Sequence, residues 1–487
     1  MATRTSAASG GFRADDADTW GLGSGVYPAT TDDIIIAAGH NITLKEDNEV
    51  AYFQQQGGSG TESTLTLASH TLTINSRNSS NSRVIDVGNE HCNIADNTGT
   101  IKLAGTADAA HKLMGLNHWA DELQNLTIHT SGSNPTYRQE SALTVNGNLT
   151  ITAGALTTNT SNHALTVTGD AIIDGTLTGN NSVVRLGSLA VGGTYSASSN
   201  ETIITSERSN GRAVDIVGTF THNSGTIEIQ TAADTDLRWP SSSSAYHINI
   251  NHASCIARPT GSNKPPIAGN LYIKQGKFSL LDSDGSTTHP CTVTGSCTIG
   301  DGSGSANTAI FEGRDDSVTF GSLTIDSDGQ YDATSGTTTL TTAGASGTRS
   351  FYNNGGTFTH NNGTIKIDTG ANTNYDFDGD DLYNFTVECE DTNGALQCDG
   401  QASTPVTVLN NLDIKMGILR TNGNTFTVHG NVYVRATSKT NKNKFVGQQV
   451  TQNVYGLITV EDGAFYDLAN QGSGSYGTLN AGGIRIL

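Results

Sequence analysis

The side chains of this 487-residue chain that could do chemistry are mostly carboxylates. Asp326-Ser327-Asp328-Gly329, with Asp332 close behind, has the opening rhythm of a calcium loop. Asp282-Ser283-Asp284-Gly285 shares it, and Asp376, Asp378, Asp380 and Asp381 form the densest acidic set. Calcium takes about six to eight oxygen ligands, and an EF-hand loop closes on a bidentate Glu. None of the three segments carries that complete pattern. Asp326, Asp328, Asp332, Asp376 and Asp378 therefore stand as calcium candidates beside a plainer reading, in which Asp-Gly simply makes a turn. No other cofactor is indicated.

Paired carboxylates could also cleave glycosides, one as acid and one as base or nucleophile. Asp315 with Asp316 and Glu388 with Glu390 are the pairs available. Neighbours in a strand point to opposite faces, so only Glu388 and Glu390 share one. Solvated charge is the simpler reading of both pairs. His222 and His360 occupy matching Phe-Thr-His-Asn segments, and His163 and His289 also match, so repetition favours structural roles. No GxSxG elbow, HExxH, P-loop or dinucleotide fingerprint occurs. The six cysteines, Cys92, Cys255, Cys291, Cys297, Cys389 and Cys398, include no CxxC pair and read as small buried hydrophobes. No catalytic residue is assigned, and the chain is read as a non-enzyme, with a polysaccharide lyase or hydrolase as the alternative.

Charge narrows the partners. The net charge of −20 argues against nucleic acid, whose binders need a basic face. It also disfavours an anionic membrane surface. No apolar run approaches the length of a membrane span, so no membrane insertion is expected. The first twenty residues lack the apolar core of a secretory signal, so synthesis in a cytoplasm without classical export is expected.

The elements that would position these residues repeat. Gly218-Thr-Phe-Thr-His-Asn-Ser-Gly-Thr-Ile-Glu-Ile returns at Gly356 as Gly-Thr-Phe-Thr-His-Asn-Asn-Gly-Thr-Ile-Lys-Ile, 138 residues later. Gly99-Thr100-Ile101 lies 126 residues before Gly225-Thr226-Ile227. Aromatic residues follow in register at Trp119, Trp239 and Phe377, and further strand blocks recur in the same order. Three modules of about 125–140 residues result: 97–217, 218–355 and 356–476. Within the third, block centres at Ile365, Phe385, Leu412, Tyr433 and Ile458 step by 20–27 residues.

Each block alternates, as in Leu149-Thr150-Ile151, which predicts a strand with one buried and one wet face. Asn-Gly and Asp-Gly pairs at Asn146, Asn362, Asn422, Asp174, Asp284 and Asp328 are expected to supply positive φ at corners. Asn125, Asn148, Asn270, Asn384 and Asn411 recur at corners, which suggests amides stacking between coils. Aromatic residues are 6%, fitting a small core of stacked Ile, Val and Leu. The expected fold is all-β: a parallel β-helix, or β-solenoid, of three modules with an N-terminal cap. Residues 1–30 would be the cap or an attachment arm, 31–96 the first coils, and 477–487 a final strand or tail. Around 107–123 the pattern allows a short helix or a bulging loop. Insertions at Ser254–Pro266 and Thr437–Val450 are expected to loop out and carry binding.

The opening from Trp20 to Leu44, with Trp-Gly, Tyr-Pro, Asp-Asp-Ile-Ile-Ile and Gly-His-Asn-Ile-Thr-Leu, together with the GTFTHNxGTIxI repeats, resembles β-solenoid structural proteins of tailed-phage virions, in particular the acidic, Gly/Thr/Asn-rich proteins of marine phages. The resemblance covers most of the chain. It implies a virion fibre, spike or surface appendage contributing to host attachment. Its implied partners are other virion proteins, further copies of the chain (a trimer being one option) and a host surface glycan or receptor. A bacterial surface adhesin or filament, extracellular in location, and a glycan-cleaving tailspike remain as alternatives.

Overall fold

The computed structural model describes residues 2–12, 18–23, 26–76, 83–87, 91–95, 98–105, 111–113, 123–130, 136–158, 161–240, 242–260, 266–303, 308–342, 349–391, 394–395, 397–400, 405–436, 443–448, 450–468 and 476–487. These contain strands and no helix. The chain forms two compact units, Met1–Ser244 and Ala245–Leu487. Each is a β-solenoid, because nearly every ladder within it is parallel and joins one coil to the next.

The coil has three sides. In the first unit, Leu143–Val145, Leu149–Ala153 and Ala155–Thr157 make one turn. The next turn covers the first two sides with a single bent strand, Leu165–Ile173, and the third with Thr176–Thr178. Alternation then stacks like on like. Leu72, Ile101, Leu126, Leu149, Ala171, Leu189, Val214 and Leu237 form one inward ladder. All eight are buried. In the second unit the corresponding ladder runs Ile267, Val293, Phe320, Leu340, Ile367, Val387, Ile414, Val434, Val460 and Ile486. Burying such ladders is the main favourable term of the fold.

Corners solve a crowding problem. Gly147, Gly169 and Gly187 sit one above another, and a Cβ on Gly187 would lie 2.4 Å from the Gly169 carbonyl oxygen. Gly175, Gly193 and Gly218 stack similarly at a second corner. The sequence expectation of positive φ holds at Asn362, Asn422, Gly423 and Gly285. It fails at Gly147, Gly175 and Gly329, which are glycine because the coil below leaves no room for a Cβ. The corner asparagines also differ in detail from an amide stack. The Oδ1 of Asn125 accepts from Asn148 N (2.9 Å), and that of Asn148 from Asp170 N (2.8 Å). Asn270, Asn384 and Asn411 do the same for Ser296, Asn411 and Asn431, so the side chain bridges the backbone ladder where the corner interrupts it.

Several expectations need correction. Val432, not Tyr433, is in register with Leu412 and Ile458; Tyr433 faces outward under the Arg435 guanidinium, 4.4 Å from its ring centre. Beside its aliphatic ladders the second unit carries a contiguous aromatic cluster through Phe311, Phe320, Tyr331, Phe358, Phe351 and Phe377, which the low aromatic content did not lead one to expect. Ser254–Thr260 does not loop out as a whole, since the strand His247–Pro259 runs through it and buries Cys255 and Ala257. Lys444–Val446 is likewise strand, with Phe445 buried. Of the ambiguous segment around 107–123, His111–Leu113 is a strand, and Trp119 lies outside the described residues.

The N-terminal segment joins the stack directly. Thr3–Thr5 adds in parallel to Asp33–Ile36, and Gly10–Gly11 to Asn41–Thr43. Phe12 and Trp20 pack edge to face, and Trp20 Nε1 donates to Phe12 O at 3.0 Å. Arg4 pairs with Asp32 at 3.1 Å.

Candidate functional site

The calcium candidates are spread along the strands of the second unit. Asp328 is buried, and its Oδ1 accepts from the amides of Asp301 (3.1 Å) and Gly302 (2.9 Å). Asp326 Oδ1 accepts from Asn354 Nδ2 at 3.0 Å, and Asp332 Oδ1 from Gln330 Nε2 at 2.8 Å. Asp376 accepts from the Asp378 amide (3.3 Å) and faces Arg349 at 3.8 Å. Asp378 occupies a left-handed turn position ahead of Gly379. Among the described residues no group of three or more His, Cys, Asp or Glu side chains is placed to hold a metal ion. Asp380, in the same acidic turn, differs from these five. Burial pushes its carboxyl up to about 6, opposed by the Asn353 amide at 2.5 Å and reinforced by the charges of Asp378 and Asp381.

The paired carboxylates are drawn into ladders. Glu388 meets Lys366 at 2.7 Å, and Lys366 also holds Asp368 at 2.7 Å. Glu390 lies beyond the buried Cys389, in a short hairpin strand. Asp315 and Asp316 both receive the Thr288 hydroxyl. On the same kind of wet face, Arg435 forks onto Asp413 (2.8 and 3.2 Å) and reaches Glu461 at 3.3 Å, tying three successive coils.

His222 and His360 are equivalent. Each begins a turn whose two central residues have φ between 47° and 61° (Asn223-Ser224 and Asn361-Asn362). The Gly225 and Gly363 amides close these turns at 2.9 Å onto the histidine carbonyls. Two successive residues with positive φ make a primed turn, here at a corner whose flanking strands pair with other coils rather than with each other. The imidazole Nδ1 accepts the amide of Ser224 (2.8 Å) or Asn362 (2.9 Å), so these rings serve as turn locks. His163 and His289 are not equivalent: His163 is half-buried, whereas His289 is buried and paired with Asp282. All six cysteines are buried free thiols, as small apolar residues would be.

The segment from Gly477, which the sequence offers as a final strand or a docking tail, is a strand over Leu479–Ile486. Leu479–Ile486 pairs with Gln452–Val460, and no described strand lies beyond it. Ile458 and Val460 are 1% and 8% exposed, but their ladder partners Ile484 and Ile486 are 58% and 79% exposed. Tyr476, Tyr455 and Phe465 are also exposed nearby. A recess of about 350 Å³ opens between Ile458, Val460, Phe465, Leu479, Ile484 and Ile486. No family model, curated protein or solved structure matches the chain.

Proposed function

We propose that the chain is a structural protein of a tailed-phage virion: a rigid β-solenoid fibre, spike or surface appendage that contributes to host attachment. The observation that carries this reading is the parallel ladder that joins coil to coil through the described residues of each unit. A ladder of this kind resists bending, because every coil is hydrogen-bonded and packed to its neighbours, and its stability is set by nearest-neighbour contacts. Its wet faces are Thr, Asn and ion-pair ladders such as Asp413–Arg435–Glu461, which keep the sides of the stack hydrated. The high negative charge keeps the sides from sticking to one another.

Immunogold labelling with antibody to the purified chain tests the proposal. It is applied to tailed particles and to bacterial cells grown from the material that encodes the sequence. Gold on an external particle structure supports the reading. Gold confined to bacterial surfaces makes the chain an adhesin, and gold on neither removes the appendage role. Reducing-sugar release from host polysaccharide by the purified protein would convert the spacer into a glycan-cleaving spike.

A further inference from the structure

We propose that Cys389 and Cys398 are a disulfide site: in an oxidising medium they join and close the neck of the hairpin that leaves the coil between them. The coil above shows why the two sulfurs meet. Val387 is in register with Ile414, and Cys398 with Leu419. The chain that goes from Ile414 to Leu419 in five steps takes eleven from Val387 to Cys398. The extra residues form an antiparallel excursion in which Glu390 pairs with Ala395 and Asp391 with Gly394. A cysteine stands at each side of its base.

Both cysteines are fully buried, and both are fixed by the ladders. Cys389 N donates to Met416 O at 3.0 Å, and Cys398 is also in register with Thr373 below. The two thiols are near enough to perturb each other, and the Thr369 hydroxyl donates to the Cys389 sulfur at 3.5 Å. The interaction with Cys398 holds the Cys389 thiol below its usual range, whereas burial raises Cys398 well above it. Cys389, the lower of the two, is the first nucleophile in this scheme, and the reverse order makes the same bond.

The oxidant is a low-molecular-weight disulfide such as oxidised glutathione. The Cys389 thiolate attacks one of its sulfurs, the S–S bond breaks, and one glutathione thiolate leaves. The Cys398 thiol then loses its proton and attacks the Cys389 sulfur of the mixed disulfide, expelling the second glutathione. Two protein thiols are oxidised, one small disulfide is reduced to two thiols, and the protons pass to the released thiolates. A chain made in a reducing cytoplasm would carry the hairpin unstapled and close it after release. Exchange waits on local opening, because neither sulfur is exposed.

The test refolds the full-length chain in a mixture of oxidised and reduced glutathione, then denatures, alkylates and maps it by mass spectrometry. Four alkylated cysteines out of the six, with one cross-linked peptide joining Cys389 to Cys398, are expected. Six alkylated cysteines, stable glutathione adducts at either position, or a link at Cys291–Cys297 instead would overturn the proposal. Cys398→Ser, mapped in parallel, is expected to form no intramolecular link.

Discussion

Replacing Gly193 by Ala should be among the most damaging small changes the chain can suffer. Its φ is not left-handed, so the backbone conformation itself accepts alanine. Space does not, because the new Cβ would stand 2.2 Å from the carbonyl oxygens of both Asp174 and Gly175. Ordinary contact begins near 3.4 Å, so the two coils must part by about 1.2 Å at this corner. That separation pulls on the bonds from Gly193 N to Ile173 O and from Thr194 N to Gly175 O, both 2.8 Å. It also disturbs the bond from Thr219 N to Gly193 O on the far side, again 2.8 Å. Three ladder bonds at about 1 kcal/mol each give a loss of about 3 kcal/mol. Gly211→Ala is the control: φ is +77° there, with nothing within 4 Å of the added Cβ, so only conformational strain of about 1 kcal/mol is expected. Urea unfolding followed by circular dichroism, with amide hydrogen exchange across 173–194, reads both variants. Equal losses for Gly193→Ala and Gly211→Ala would refute the crowding argument.

Tyr195→Phe and Tyr331→Phe should each cost about 1–2 kcal/mol in urea unfolding, since the buried Thr202 and Thr338 hydroxyls lose partners at 2.7 and 2.6 Å. Burial also pushes Tyr195 up to about 12. Its folded value exceeds its unfolded one, so its contribution is complete below about pH 10 and fades as pH rises through about 12. Ultraviolet titration of tyrosinate in the wild type and in Tyr195→Phe checks this. Asp380 has the same sign: its carboxyl, raised to about 6, favours the fold at about pH 4 and loses that contribution as pH climbs through 6. Asp380→Asn should therefore remove about 1–2 kcal/mol of the decline between about pH 4 and pH 7, the figure being reduced for partial exposure. Asp328→Ala should lower the unfolding midpoint by the same amount in calcium and in chelator, because its carboxylate holds the Asp301 and Gly302 amides; a calcium-dependent difference would show that it is a ligand instead.

The solenoid was legible because its determinants are local and repeated. Thr alternating with Ile, Leu or Val sets the face, and Gly and Asn recur at corners. Tyr433 was placed one residue out of register because Val432, Tyr433 and Val434 are all apolar, and alternation cannot choose a phase without knowing that Arg435 covers the ring. The aromatic cluster of the second unit was masked by a low average that hides its concentration between Phe311 and Phe377. The acidic candidates drew attention as motifs, yet backbone amides and ladder partners engage them, and sequence spacing does not reveal that. Cys389 and Cys398 read from the sequence only as neighbouring small buried hydrophobes, since the register with Ile414 and Leu419 is what exposes the residues between them as an insertion.

Spin labels on one outward ladder of the second unit test the coil stack most directly. Thr339, Lys366, Thr386, Asp413, Tyr433, Thr459 and Arg485 are successive partners, so Thr339 lies three coils from Asp413, four from Tyr433 and six from Arg485. Electron–electron distances from a label at Thr339 should rise by about 4.8 Å per coil, to about 14, 19 and 29 Å for the three pairs. Distances that fail to increase evenly along this series, or that spread broadly as between tethered globules, would contradict the stack.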